Sequence, residues 1–144
     1  MKEHVYEVLE KINNAKTIKE RKALLTEYGA KHPYNLILSM NFDKTLELDL
    51  PEGPPPYKRD ETLHPDLFGT SLAQVIRRLS SLFKTSTVKV PKIKREHIFI
   101  QMLESIPPKE ADVLVFAKDK ALEELYPNIT RKLVAEVFPN YCRE

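Results

Sequence analysis

The sequence predicts a mostly α-helical protein that folds as one compact orthogonal bundle of about seven helices. Three observations support this fold class. Apolar residues recur at helical spacing along most of the 144-residue chain. Two Ser/Thr-x-x-Glu/Gln patterns, at 17–20 and 71–74, are typical of helix starts. The chain has only three glycines, which is few for a β fold, because tight hairpin turns use glycine at positive φ.

Three helices are predicted in the first third of the chain. The first covers about 2–14, where apolar residues follow a 3.6-residue period. The second begins after Thr17, whose hydroxyl can accept a hydrogen bond from the amide of Glu20. It ends at Gly29, which is expected to adopt a left-handed conformation. Pro33 would be the first residue of the third helix. The residues expected to be buried here are Val5, Val8, Leu9, Ile12, Ala23, Leu24, Tyr28, Leu36, Ile37 and Met40.

The pattern then changes to an alternation with period two. Residues 45–50, TLELDL, place three leucines on one face of an extended segment. Valines alternate with polar residues in the same way near 86–91. The two segments could therefore pair as a short two-stranded ribbon that leans on the helical core.

Two further helices are predicted after the extended segment. The fourth helix follows the capping pattern at 71–74, and the fifth covers about 94–105 after Pro91. Their expected buried residues are Leu72, Val75, Ile76, Leu79, Leu82, Phe83, Ile98, Phe99, Met102 and Leu103.

The last two helices complete the predicted bundle. A Pro-Pro pair at 107–108 ends the fifth helix and begins the sixth, since proline is tolerated in a first turn but not in a helix interior. Residues 113–116, VLVF, are apolar on every side, which is typical of a central buried helix. Asn128 would cap the last helix, about 129–138. Its expected buried residues are Leu133, Val134, Val137 and Phe138.

A proline-rich stretch, LPEGPPPYK at 50–58, interrupts the helices. We interpret the acidic, proline-rich residues 43–66 as a strap packed on a single helical domain, 1–144, since prolines lower the entropy lost in ordering an irregular connection. Its predicted structural residues are Leu50, Pro54, Pro55, Pro56 and Tyr57. Its predicted apolar anchors are Leu46, Leu48 and Leu50 before the prolines and Leu63, Leu67 and Phe68 after them.

The string PPPY at 54–57 also matches the PPxY ligand of WW domains. Such a ligand must be exposed and flexible. Substantial burial of Leu50 and Tyr57 would favour the strap, whereas exposure of both would favour the recognition peptide.

Charge is segregated along the chain although the net charge is only +2. Residues 67–95 contain no acid, whereas 43–66 contain seven acids and three basic residues. Lysine and arginine on one face can bind phosphates by releasing counterions, and three lysines beside Pro91 could project together. The predicted contacts to nucleic acid or to an anionic partner are Arg77, Arg78, Lys84, Lys89, Lys92, Lys94 and Arg95. Alternatively, the acidic residues fold against the basic ones.

Catalytic and metal-binding patterns are absent from the sequence. The histidines, His4, His32, His64 and His97, are far apart, and Cys142 has no evident base beside it. The carboxylates between 43 and 52 lack the spacing of a calcium loop. We therefore expect no enzyme, no metal and no cofactor. Histidines and carboxylates converging in one deep pocket would contradict that expectation.

The single cysteine and the lack of a long apolar run indicate the compartment. One cysteine excludes an internal disulfide, and no apolar run approaches the roughly 20 residues that span a bilayer. The acids near the N-terminus argue against a secretory signal. We expect a soluble protein of a reducing cell interior, without membrane contact.

Three stretches are distinctive together: ELDLPEGPPPYK at 47–58, REHIFIQMLESIPPKEADVLVFAKDK at 95–120 and ITRKLVAEVFPNY at 129–141. They resemble a family of small, functionally uncharacterised proteins of large contractile-tailed bacteriophages. The resemblance covers nearly the whole chain, with EELY at 123–126 as an insertion relative to the family pattern. It implies a phage accessory protein in the cytoplasm of a bacterial host and supplies no catalytic residues.

Three functions remain open at this point. The leading expectation is a non-enzymatic adaptor that binds a phage or host protein, for example in transcription or replication. The second is a nucleic-acid-binding accessory protein that contacts DNA or RNA through 77–95. The third is a minor virion component.

Overall fold

The computed structural model describes residues 3–144. Within them seven α-helices form, and this confirms the mostly α-helical fold. The helices are α1 (Val5–Asn13), α2 (Ile18–Gly29), α3 (Tyr34–Phe42), α4 (Leu72–Val75), α5 (Lys92–Glu104), α6 (Pro108–Lys118) and α7 (Arg131–Val137). Short 3₁₀ segments cover Pro65–Leu67, Ile76–Leu82, Leu122–Glu124 and Pro139–Tyr141. None of the described helices has the length and apolar character needed to cross a membrane.

Helix α6 lies at the centre of the core and contacts α1, α3, α4 and α5. Val113, Leu114 and Val115 are buried and Phe116 is half-buried, which confirms the prediction of a central helix. Pro108 occupies the first position of α6, where its missing N–H costs no intrahelical hydrogen bond.

Side-chain caps begin several helices. The Thr17 hydroxyl accepts the Glu20 amide at 3.1 Å, and the Ser71 amide donates to the side chain of Gln74 at 2.9 Å. Both predicted capping positions therefore begin helices as expected.

The predicted cap of the last helix is wrong. Thr130, not Asn128, caps α7, and its hydroxyl accepts the Leu133 amide at 3.1 Å. Asn128 instead donates its backbone and side-chain N–H groups to Asn13 at the end of α1. A threonine two residues nearer to the helix can reach the open amides of the first turn.

The conformation of Gly29 also differs from the prediction. It is helical rather than left-handed and forms the last residue of α2. A Cβ at this position would lie 2.4 Å from Cε2 of Phe138, so glycine is needed here for close approach of the ring. The Tyr141 hydroxyl adds a hydrogen bond to the Gly29 carbonyl at 2.9 Å.

Two predicted core residues are exposed, namely Ala23 and Leu36. Helix α2 packs on α1 and α7 through the face that carries Leu25 and Gly29, and Ala23 lies off that face. The fourth predicted helix is α-helical only to Val75 and continues as a 3₁₀ helix. Its apolar stripe is nevertheless buried at Leu72, Val75, Ile76, Leu79 and Leu82.

The predicted ribbon is reduced to one bridge with a different partner. Among the described residues, Leu48 pairs antiparallel with Phe83, and 86–91 form no strand. The Asp49 amide donates to the Leu82 carbonyl at 2.7 Å. This pairing buries Leu48 and Leu82 together, whereas a strand at 86–90 would contribute only valines to the core.

The strap is fastened to the end of α6. Lys118 donates from Nζ to the Pro51 carbonyl at 2.8 Å, and the Gly53 amide donates to Asp119 Oδ2 at 3.0 Å. Gly53 has a φ of 85°, a left-handed conformation that glycine adopts without strain. The hydrogen bonds at Pro51 and Gly53 thus fix the turn in the strap.

A second set of contacts holds the strap beyond the prolines. The Lys58 amide donates to Glu104 Oε2 at 2.8 Å, and the Arg59 guanidinium pairs with both carboxylate oxygens of Asp112. Tyr57 accepts a hydrogen bond from Arg59 at 2.7 Å. A segment held by these contacts is a poor candidate for a flexible WW ligand.

The apolar anchors differ in their burial. Leu50 and Tyr57 are half-buried and pack against the core, and Leu48 is buried. The prediction for Leu67 is wrong, because this residue lies on the 3₁₀ turn Pro65–Leu67 with its side chain exposed. Leu46, Leu63 and Phe68 are half-buried.

Candidate functional site

The predicted basic set divides into anchoring and presented residues. Arg95 donates to the Asp49 carbonyl at 3.0 Å and to the Val90 carbonyl at 2.6 Å. Lys84 pairs with Glu47 at 3.3 Å. Acidic strap residues therefore do fold against part of the basic run. Arg95 and Lys84 hold neighbouring segments of the chain together through these contacts and do not offer their charge to a partner.

Between these anchors, 87–94 form a surface that we call the basic–apolar segment. Lys89, Lys92 and Lys94 are exposed there, and none makes an ion pair with another residue of 3–144. Val88 is 60% exposed and Ile93 is 82% exposed. Scattered apolar side chains are ordinary on a protein surface, but Ile93 is exposed among three lysines that form no ion pair within 3–144. The segment therefore offers a partner both an apolar contact and charged contacts.

Arg77 and Arg78 lie apart in the sequence from that segment, on the 3₁₀ helix Ile76–Leu82. Both side chains are exposed and neither pairs with a carboxylate of the described residues. Arg77 also lines a groove that the sequence did not predict. The predicted set therefore does not form one continuous site through its own contacts.

The groove has a volume of about 1120 Å³ and lies between the start of α1 and the chain around α4. His4, His64 and Asp66 meet on it. His4 Nε2 lies 2.7 Å from Asp66 Oδ1, and His64 Nδ1 accepts the Asp66 amide at 3.1 Å. The His4 ring stacks on Tyr6 with centroids 5.5 Å apart. Histidines and carboxylates do converge here, which is the arrangement that would argue for catalysis.

The chemistry of this arrangement is limited by what surrounds it. A carboxylate can orient an imidazole as a general base, but a nucleophile or a metal must then lie within its reach. Among 3–144 no hydroxyl or thiol hydrogen-bonds to either imidazole, and no group of three potential ligands could hold a metal. The nearby Thr70 hydroxyl donates to the Ser105 carbonyl at 2.6 Å. Within the described part of the chain, the groove thus supplies an oriented imidazole without a reacting partner.

Glu110 lines the same groove and is almost fully buried. Its carboxylate accepts the Val5 amide at 3.3 Å and the Leu72 amide at 3.1 Å. Burial raises the pKa of Glu110, and these two hydrogen bonds oppose the shift. Because both bonds go to the first residues of helices, the carboxylate joins the starts of α1 and α4 to α6.

The remaining candidates for chemistry are structural. Burial alone would raise the pKa of Asp43, but hydrogen bonds from Thr45 and Arg143 outweigh it and hold the pKa below its ordinary value. Burial raises the pKa of the Cys142 thiol. Its neighbour Arg143 pairs with Asp43 at 2.6 Å.

Sequence reasoning could not have found the groove. His4 and Asp66 are 62 positions apart, and no spacing rule connects them. Glu110 and Asp112 of α6, and Asp119 directly after it, bind other segments of the chain. The two carboxylates within one turn of the apolar run 113–116 were the one available signal of such contacts.

The fold and these surfaces define a small, mostly α-helical protein with a presented basic–apolar segment and a separate histidine-lined groove. The chain belongs to a family of unknown function, DUF6433, whose model matches residues 8–124. Comparison with the curated proteins gives no match.

Proposed function

We propose that the chain is a non-enzymatic adaptor whose basic–apolar segment binds an acidic segment of a partner protein. The exposure of Ile93 among three lysines that form no ion pair within 3–144 supports this function. Fully burying an isoleucine side chain in an interface is worth about 1.5–3 kcal/mol. Phosphate contacts of nucleic acids do not use such an apolar group, so the isoleucine favours a protein partner that carries carboxylates and apolar side chains.

Replacing Ile93 by serine should therefore weaken partner binding by about 10-fold or more. The partner is captured from phage-infected bacteria with and without nuclease, and its affinity for the purified chain is then measured by calorimetry. Ile18→Ser is the matched control, because Ile18 is 63% exposed on the first turn of α2, outside the segment. Equal affinity of wild type and Ile93→Ser, or an equal loss in the control, would contradict the adaptor proposal.

A nucleic-acid-binding accessory protein is the second candidate. Its support is the set of exposed cations without a carboxylate partner among the described residues, Arg77, Arg78, Lys89, Lys92 and Lys94. Charge of this kind binds phosphates without sequence preference, and such binding falls steeply with salt.

On this second function, changing Lys89, Lys92 and Lys94 together to glutamate should abolish most binding of DNA or RNA. The slope of log affinity against log salt should become shallower by about 3, because each neutralised phosphate accounts for about 0.9 of that slope. Fluorescence anisotropy with a labelled duplex and a single strand measures both quantities. The control carries the same change at Lys16, Lys19 and Lys132, which are exposed outside the segment. Unchanged binding in the first variant excludes this function.

We place this adaptor among bacteriophage accessory proteins that act in the cytoplasm of the bacterial host, in transcription or replication. The resemblance in the three distinctive stretches supports that origin. A minor virion component is the alternative, and the presence of the chain in purified intact particles decides between the two.

A further inference from the structure

A second, smaller cavity, which we call the crevice, lies between the strap and α5. Its volume is about 340 Å³. The strap contributes Leu50, Pro51 and prolines 54–56 to its wall, and α5 contributes Phe99 and Ile100. This volume is at the lower end of the roughly 300–1,000 Å³ that small-molecule sites occupy. The crevice is therefore large enough for a compact apolar group.

The walls of the crevice are held in place before any ligand arrives. Prolines have a fixed φ, and the strap is fastened through the Pro51 carbonyl and the Gly53 amide to Lys118 and Asp119. A site that is already formed loses little conformational entropy when a ligand binds. The strap thus provides a rigid wall rather than a mobile flap.

The charges around the crevice favour a cation. Lys118 lines it, but its side chain is only 3% exposed and its ammonium is paired with Asp119, so this pair carries no net charge. Glu52 and Glu96 line the crevice as well. Neither forms an ion pair or a side-chain hydrogen bond within 3–144. The crevice therefore has apolar walls and two carboxylates without an ion-pair partner among the described residues.

We propose that this crevice binds a small organic ammonium ion, a compact aromatic or branched apolar body that carries one primary amine. The apolar body packs between the prolines and Ile100, and the ammonium group lies near Glu52 and Glu96. This site is separate from the basic–apolar segment and does not depend on the adaptor function.

The test titrates three probes of similar size into the isotope-labelled full-length chain. The probes are phenethylamine, the neutral 2-phenylethanol and the anionic 3-phenylpropionate. The amide signals of Gly53 and of 96–100 report binding by NMR. Phenethylamine should bind saturably with a Kd on the order of 1 mM, and 2-phenylethanol about 5-fold more weakly, since each exposed charge pair contributes little. Equal or tighter binding of the alcohol or of the anion overturns the proposal, as does the lack of saturable shifts with the amine.

A charge-neutral variant assigns the preference to the two carboxylates. Glu52→Gln with Glu96→Gln should lower the affinity for phenethylamine to that for 2-phenylethanol and leave the alcohol unaffected. Glu123→Gln with Glu124→Gln is the matched control, because both residues are exposed on a 3₁₀ turn outside the crevice. A preference for the amine that persists in the first variant overturns the assignment.

Discussion

Replacing Lys120 by methionine is expected to lower the free energy of unfolding by about 3 kcal/mol. Lys120 Nζ donates to the carbonyls of Met40 and Asp43 at 2.8 Å and of Leu46 at 2.7 Å. Met40 and Asp43 lie at the end of α3, where carbonyls lack intrahelical partners. Methionine keeps the length of the side chain but leaves all three carbonyls without this donor. Urea denaturation, read as a lower midpoint at constant m-value, measures the loss.

The backbone of Lys120 makes the same residue testable in a second way. Its φ is 58°, in the left-handed region, and its amide bonds to Ala117 while the Ala121 amide bonds to Phe116. This pattern is a Schellman motif with lysine at the position that glycine usually occupies. Lys120→Gly should therefore be about 1 kcal/mol less damaging than Lys120→Met, because glycine relieves the backbone strain.

The outcome for Lys120 is judged against a lysine without such contacts. Lys19→Met, on the exposed face of α2, should stay within about 0.5 kcal/mol of wild type. A loss below about 1 kcal/mol in Lys120→Met, or a glycine variant more stable than wild type, would show that the three carbonyl bonds do not stabilise the fold.

The helices could be predicted because their signals are local. The caps at Thr17 and Ser71, the proline at the start of α6 and the apolar run at 113–116 act within one or two turns, so they hold in any tertiary setting. The 3₁₀ continuation Ile76–Leu82 could not be predicted in the same way. Apolar residues three and four apart satisfy both kinds of helix, and packing decides between them.

Pairings between distant residues account for the wrong predictions of the ribbon and of a continuous basic site. The period-two signal of 45–50 shows that an extended segment exists but does not identify its partner, and the bridge forms at Phe83 because Leu48 and Leu82 are buried there. Likewise, composition identified the basic run but not which of its residues hold the chain together and which are exposed to a partner. Only the fold shows that Lys84 and Arg95 are used to fasten the chain, while Ile93 remains exposed between them.

The second large effect is expected where the strap meets α6. The Lys118 side chain is 3% exposed, and its ammonium is shared between the Pro51 carbonyl and the Asp119 carboxylate. Asp119 also accepts the Gly53 amide. Removing one member of a buried ion pair leaves the other charge without its partner, which typically costs about 3–5 kcal/mol.

Lys118→Met should accordingly lower the free energy of unfolding by about 3 kcal/mol, and Asp119→Asn should also destabilise the chain. The double variant should lose at least about 1 kcal/mol less than the sum of the two, since the second change no longer leaves an unpaired charge. Urea denaturation of the four proteins gives this coupling energy. Lys109→Met is the control on the same helix, because Lys109 is exposed and only approaches the Tyr6 ring, 5.3 Å from its centroid. Strictly additive losses would mean that Lys118 and Asp119 hold the strap independently and not as a coupled ion pair.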